Sequence, residues 1–456
     1  MVLPRKLYGN KEATTMKRIT NIRTLATLLM ASAAIVSCSV KEDIFEEETT
    51  IKEEPAKVYT LSVNATKGGD DEATKALSLE GKTLNATWSQ GDAVEVWTSD
   101  GTTTKYGTLT AETSGASTKL KGTLSSLPSN GQSLLLKYLS PAYATQDGTL
   151  TGSETSIDRV CDYATATVTA TVAGSNVTAT DASFVNQQAI VKFTLKDKDD
   201  ASALSVNKLF VTVGGTTCEV TPAAAMSELY VAVPAVASGR VTLTAQKTSL
   251  GFTFYYDYLK TGATFAQGQY YAINASLTLV KNINVATTAS LGRVVAADGM
   301  MYACVESATN AGTTAIAVIT ERNSYVSLYG AIAISEESWG MNWSDAKSAC
   351  EGKTPKLDGA NWRFPTVDQW KSMCAANGGN EYNYTGLDAL ITKAGGSPLR
   401  TDWFYWTSSP DEDNSNYKYH VSFNGNGSLY FRNGQDQSNQ VYVRAFLYFV
   451  GNKLNG

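Results

Sequence analysis

Few side chains in this sequence can do covalent or metal chemistry: there is one histidine and there are six cysteines in 456 residues. His420 lies in an alternating stretch with Tyr417, Tyr419 and Val421. A single histidine cannot supply a histidine-rich zinc cluster, and in this alternating context it reads as a strand histidine. The run Asp411-Glu412-Asp413-Asn414 offers the hard oxygens that calcium takes, but it lacks the Asp-x-Asp-x-Asn-Gly loop spacing and reads as a solvated turn. Behind Cys38 stand Cys161, Cys218, Cys304, Cys350 and Cys374, an odd number, so pairing within the chain cannot use them all. Cys161–Cys218 and Cys350–Cys374 are geometric options beside buried free thiols. No enzyme, metal or cofactor is expected. Binding suits the composition better, because aromatic faces with a few hydrogen-bonding groups at a rim hold sugars and peptides. The aromatic candidates are Trp339, Trp343, Trp403, Tyr405, Tyr417 and Tyr430, with Asn414, Asn416, Arg432 and Asn433 in nearby loops. Core packing is the alternative for each of these rings, and Trp362, Trp370 and Trp406 are assigned to the core by pattern.

The elements that must hold these residues are three short helices and a small sheet. Ser344 followed by Asp345 and Cys350 predicts a short helix capped by the serine. Pro365 blocks helix on its upstream side, and Thr366 with Gln369 three residues on forms a capping box. Val367, Trp370 and Cys374 then face a core. A third helix is expected from Gly386 to Ala394, ending at Gly395-Gly396. Alternation at 417–423, 429–431 and 441–445 predicts three antiparallel strands, with Asn-Gly turns at Asn424-Gly425, Asn426-Gly427 and Asn433-Gly434.

Upstream, Lys17, Arg18 and Arg23, the short apolar run Leu25 to Val36, and Ser37-Cys38 have the layout of a targeting signal. The apolar run is too short for the roughly 20 residues that span a bilayer. Residues 39–56 carry seven acids and two lysines, too charged to fold, and read as an extended tether. The overall charge of −5 becomes more negative once the basic leader is removed, which disfavours nucleic acid as a partner. From Lys57, short alternating strands follow at intervals near ten residues, at 58–63, 83–88, 93–97, 104–110, 118–124 and 133–138. A second set covers 167–171, 189–195, 209–213, 229–233, 241–245, 252–258 and 270–277. This spacing means β-sandwiches rather than a βαβ arrangement. The Gly91-Asp92 turn is expected to bring Trp88 and Trp97 together.

Three islands, Trp362-Arg363-Phe364-Pro365-Thr366, Tyr405-Trp406-Thr407-Ser408-Ser409 and Val443-Arg444-Ala445, resemble in type and order the C-type-lectin-like domains at the C-termini of Bacteroides-type surface proteins. The calcium-coordinating motifs of sugar-binding animal lectins are absent, so calcium-dependent sugar binding is not implied. Formylglycine-generating enzymes share a related fold, but Cys350 and Cys374 lack the context of their paired cysteines. The Thr87-Trp88-Ser89-Gln90-Gly91-Asp92 stretch, Phe184-Val185-Asn186-Gln187-Gln188-Ala189-Ile190 and Gly268-Gln269-Tyr270-Tyr271 resemble the fimbrillin family of pilus subunits. Ser37-Cys38 resembles a bacterial lipoprotein cleavage site, and the acidic run after it an outer-leaflet export signal.

Together these resemblances imply a mainly β chain: two transthyretin-like β-sandwiches followed by an α+β C-type-lectin-like domain. The expected divisions are 1–37, upstream extension and signal; 38–56, lipidated Cys38 and tether; 57–165 and 166–280, the two sandwiches; and 281–456, the lectin-like domain. The location implied is the surface of a Gram-negative cell, held in the outer membrane by lipid. The implied role is a fimbria-associated adhesin, with a glycan-binding protein of nutrient uptake as the alternative. Implied partners are a glycan or protein outside the cell and other fimbrial subunits by donor-strand exchange. In polymerising fimbrillins cleavage after an arginine removes the first strand. Here no arginine lies between Cys38 and Arg159, which favours an anchor, accessory or tip-like protein, although Lys67 or Lys75 could serve another protease.

Overall fold

The structure is a computed structural model. It describes residues 58–67, 78–80, 83–139, 143–323, 327–335, 340–378, 380–401, 403–411, 414, 416–436, 438–439 and 441–451. The signal, Cys38, the tether and Lys75 therefore lie outside the described residues. Among those described, no helix is long and apolar enough to cross a membrane. The chain is mainly β, with several sheets.

The first ladder closes on itself around the strand Tyr59–Lys67. That strand runs antiparallel to Ser117–Leu124 on one side and parallel to Asn176–Ala179 and Ala182–Asn186 on the other. From Ser117–Leu124 the pairing passes through Lys105–Ala111, Ala93–Thr98, Ser133–Tyr138 and Ala164–Ala173, and returns to Ala182–Asn186. Every second residue of the first strand points inward, and Leu61, Val63 and Ala65 meet Trp88, Val94, Val96, Leu134 and Leu136 in one core. The seam expected at 165/166 is corrected by this topology, because the strands from Ala164 to Asn186 complete the first sheet. The expected Trp88–Trp97 contact is also corrected. Trp88 is fully buried against Tyr138 and Phe184, whereas Trp97 lies on the outer side, donating its indole N–H to Glu95.

The second sheet runs in the order Glu228–Pro234, Gln188–Asp197, Tyr270–Leu279, Phe252–Phe265, Val236–Ser249, Lys208–Val213, Thr216–Val220 and Thr145–Gln146. The last piece belongs to the segment crossing from the first sheet. There the Gln146 carboxamide both donates to the Ala232 carbonyl (2.9 Å) and accepts from the Ala232 N–H (2.8 Å), joining the two end strands of this sheet.

From Lys281 the third region builds a seven-stranded sheet with Ala315–Asn323, Leu328–Ala333, Phe446–Val450 and Ala360–Arg363 toward one edge. Beside it stands a three-stranded sheet of Phe404–Pro410, Tyr417–Phe423 and Leu429–Asp436. Helices Trp343–Gly352, Val367–Gly378 and Thr385–Lys393 cover them. The first helix is capped by Asn342, whose side chain accepts from the Asp345 N–H, rather than by Ser344. At the second, Thr366 Oγ1 accepts from Gln369 N (3.1 Å) and Gln369 Oε1 from Thr366 N (2.9 Å), the expected box. Residues 441–445 are not a strand of the small sheet. They are buried on both sides and lead into Phe446–Val450 of the large sheet, while Phe404–Pro410 takes the third place. Asn433-Gly434 is likewise strand backbone rather than a turn.

This third region is fixed to the second sandwich by a buried ion pair. Arg293 Nη2 reaches both carboxylate oxygens of Asp257 at 2.8 Å, and the Ala303 N–H adds a bond of 2.6 Å.

Candidate functional site

Two of the three islands bond to each other directly, and all three are tied into the surrounding backbone. The Trp343 indole donates to the Thr407 carbonyl (2.8 Å) and the Trp406 indole to the Met341 carbonyl (2.9 Å). Ser408 N donates to the Pro365 carbonyl (2.7 Å), and Ser409 Oγ accepts the free N–H of Val367 at the helix start (3.0 Å). Arg444 is fully buried and staples three carbonyls, with Nε to Ala333 and Nη2 to Ile334 and Ser397. These motifs are scaffold, and what they position is the small sheet.

Its inner face packs into the core. Tyr405, Val421 and Phe431 form one cross-strand row, and Trp370 meets both Tyr405 and Phe423 edge-on or tilted. Tyr405 is 0% exposed, and its hydroxyl accepts from Arg400 N. It is therefore a core residue, which corrects its place among the binding candidates. One residue along, the parity reverses. Phe404, Ser422 and Tyr430 form a row on the outer face, with Phe404 38% and Tyr430 45% exposed. The two rings stand two inter-strand spacings apart, about 10 Å. Asn424 Nδ2 reaches the Tyr430 hydroxyl at 3.4 Å, and exposed Arg432 pairs in register with His420 on the next row. The His420 ring is buried, edge-on to Phe404 at 4.7 Å. Burial, and then the Arg432 charge, push it down to about 4, so it is neutral at pH 7.

The other candidates are scattered. Trp343 is half-buried between Phe364 and the Lys418 ammonium, which lies 5.0 Å from its ring. Trp403 is exposed with its ring edge-on to Tyr442. Asn414 and Asn416 form a tight polar turn in which the Asn414 side chain accepts from Asn416 N, and half-buried Tyr417 lies opposite Asp436 at the strand's far end. Asn433 contributes backbone to the third strand, and Trp339 lies outside the described residues. Phe404, Ser422 and Asn424 were missing from the sequence-based set. The signal for Phe404 was its place next to Tyr405, since neighbours in a strand face opposite ways.

Chemistry of other kinds finds little support. Among the described residues no group of three or more His, Cys, Asp and Glu could hold a metal ion. Cys161, Cys218, Cys304, Cys350 and Cys374 are buried thiols outside any disulfide, so neither the Cys161–Cys218 nor the Cys350–Cys374 pairing forms. Burial pushes the thiols of Cys161, Cys218 and Cys374 up to about 12, which keeps them from acting as nucleophiles at neutral pH. A polar cleft of 440 Å³ beside the edge strand Ala360–Arg363 is lined by Glu351, Asn361, Arg363 and Gln369 among others. A wider one of 670 Å³ lies between the second sandwich and the helix Thr385–Lys393. In the wider cleft Arg240 is engaged by Glu306 and Asp388 by the Leu399 N–H.

No protein-family model matches the chain, and no curated protein matches it. Similar solved structures include two proteins provisionally assigned to cell adhesion. That from Bacteroides fragilis is 15% identical, with 50% of this chain and 95% of its own covered at a TM-score of 0.26. That from Bacteroides eggerthii is 10% identical, with 49% and 88% covered at 0.25. The shaft pilin SpaA from Lactobacillus rhamnosus GG is 12% identical, with 49% and 98% covered at 0.21.

Proposed function

We propose that the chain is a non-enzymatic cell-surface protein in which two β-sandwiches, fimbrillin-like and of transthyretin type, form a mast for a lectin-like head that binds a glycan or protein ligand. The observation that carries this reading is the row Phe404, Ser422 and Tyr430: two exposed rings on the outer face of a sheet whose inner face is locked into a core. Solvent-facing aromatic rings with amide and guanidinium donors at the rim suit stacking on a saccharide or a flat protein surface. Rings held by strands lose little freedom on binding, which favours affinity. Earlier in the chain, Cys38 carries lipid and residues 39–56 act as the tether to the outer membrane. The role within a fimbria is that of an anchor, accessory or tip-like component. Lys67, at the end of the first strand, is buried and so out of reach of a protease acting on the folded chain.

The test is a glycan and matrix-protein array probed with the full chain and with a Phe404→Ala, Tyr430→Ala double variant. Saturable binding to a defined subset, lost in the variant, supports the reading. Equal binding by both proteins, or none by either, contradicts it. Palmitate labelling checks the anchor, with label expected in the wild type and absent from Cys38→Ala.

A further inference from the structure

The first sandwich buries a lysine against a carboxylate in a nearly dry aromatic box. Lys67 Nζ lies 2.8 Å from Asp162 Oδ2, with side chains 1% and 7% exposed. The nitrogen sits 3.2 Å from the centre of the Tyr138 ring and 4.7 Å from that of Trp88. Asp162 Oδ1 is buried with no hydrogen-bond partner among the described residues. A buried ion pair repays its desolvation only when the remaining lone pairs are satisfied, and here one is not. Burial raises the Asp162 carboxyl, opposed by Lys67 and reinforced by the charges of Asp92 and Asp158, which favours the neutral acid. The amine is thus held in hydrogen-bond contact with the carboxyl group it would attack, in a site that excludes water.

We propose that Lys67 and Asp162 condense into an intramolecular isopeptide bond that joins the first strand to the segment opening the strand Ala164–Ala173. A proton passes from the ammonium to the carboxylate, giving amine and acid. The nitrogen attacks Asp162 Cγ, forming the C–N bond. A C–O bond then breaks, and the departing oxygen takes the second proton from nitrogen, with Asp92 or Asp158 as the carrier, and leaves as water. One water is released and nothing is oxidised or reduced. Two buried charges become one neutral amide, and the first strand can no longer be withdrawn, which fits a chain that keeps that strand. The proposal stands independently of what the head binds.

The test is mass spectrometry of the full chain, unfolded before digestion. The expected result is a branched peptide joining the Lys67 and Asp162 segments, one water lighter than their sum, with no tryptic cut after Lys67. A linear peptide ending at Lys67, with no mass deficit, overturns the proposal, and this measurement on the wild type needs no variant to fold. Lys67→Arg and Asp162→Ala should each restore the full mass. A water deficit that persists in either variant would place the cross-link elsewhere and also overturn the proposal.

Discussion

The first sandwich and the head each gather aromatic rings around a cation, and they differ in which way the rings face. In the sandwich Trp88, Tyr138 and Phe184 are sealed around Lys67, and the cation meets a carboxylate inside the protein. In the head Phe404 and Tyr430 look outward on the same strand face as exposed Arg432, open to solvent. On the proposed reading the same residue types serve internal bonding in one place and recognition in the other, and burial decides which. A second contrast lies within the mast. Asp257 at the junction has both oxygens engaged by Arg293 and one also by a backbone N–H, whereas one oxygen of Asp162 has no hydrogen-bond partner among the described residues. The first arrangement is a finished structural contact, and the second is the one we propose to react.

The sharpest way to break this comparison is to empty the sealed box. Trp88→Ala removes a fully buried indole and should cost about 5 kcal/mol, seen in chemical denaturation as a large drop in the first sandwich's midpoint. Asp257→Ala leaves Arg293 unpaired at the junction and should cost about 4 kcal/mol. Calorimetry should then show the head and second sandwich unfolding apart. A smaller effect comes from pH. His420 is pushed down to about 4 from an ordinary value of 6.5, so the folded head binds fewer protons than the unfolded chain between those values. Its contribution is present above pH 6.5 and is lost as pH falls toward 4, amounting to at most about 3 kcal/mol. His420→Gln should flatten that part of the stability curve relative to wild type. The smallest effect on stability is expected on the open face, where Phe404→Ala with Tyr430→Ala should change it by about 1 kcal/mol or less.

Much of the fold was legible because alternation and capping are local. The strands at 93–98, 133–138 and 208–213 follow from side-chain parity, and the Thr366–Gln369 box from a spacing of three. What could not be read is what depends on distant partners. The strands of 164–186 alternate like those on either side of them, and nothing local says that Ala182–Asn186 lies beside Tyr59–Lys67. Asn433-Gly434 has hairpin chemistry, yet the turn is made earlier, at Asn424 to Ser428, and leaves that pair in the strand. Tyr405 and Phe404 could not be told apart until the core covering one face was known. The Lys67–Asp162 contact joins residues 95 apart and gives no signal in either neighbourhood.

The central claim, that the mast holds and the head reads, is tested most directly by titrating the full chain and its Phe404→Ala, Tyr430→Ala variant with the strongest hit from the array. The account predicts a Kd at least tenfold weaker in the variant, about 1.4 kcal/mol, at an almost unchanged Tm. Equal affinity, or a loss of binding that only follows a loss of folding, would contradict it.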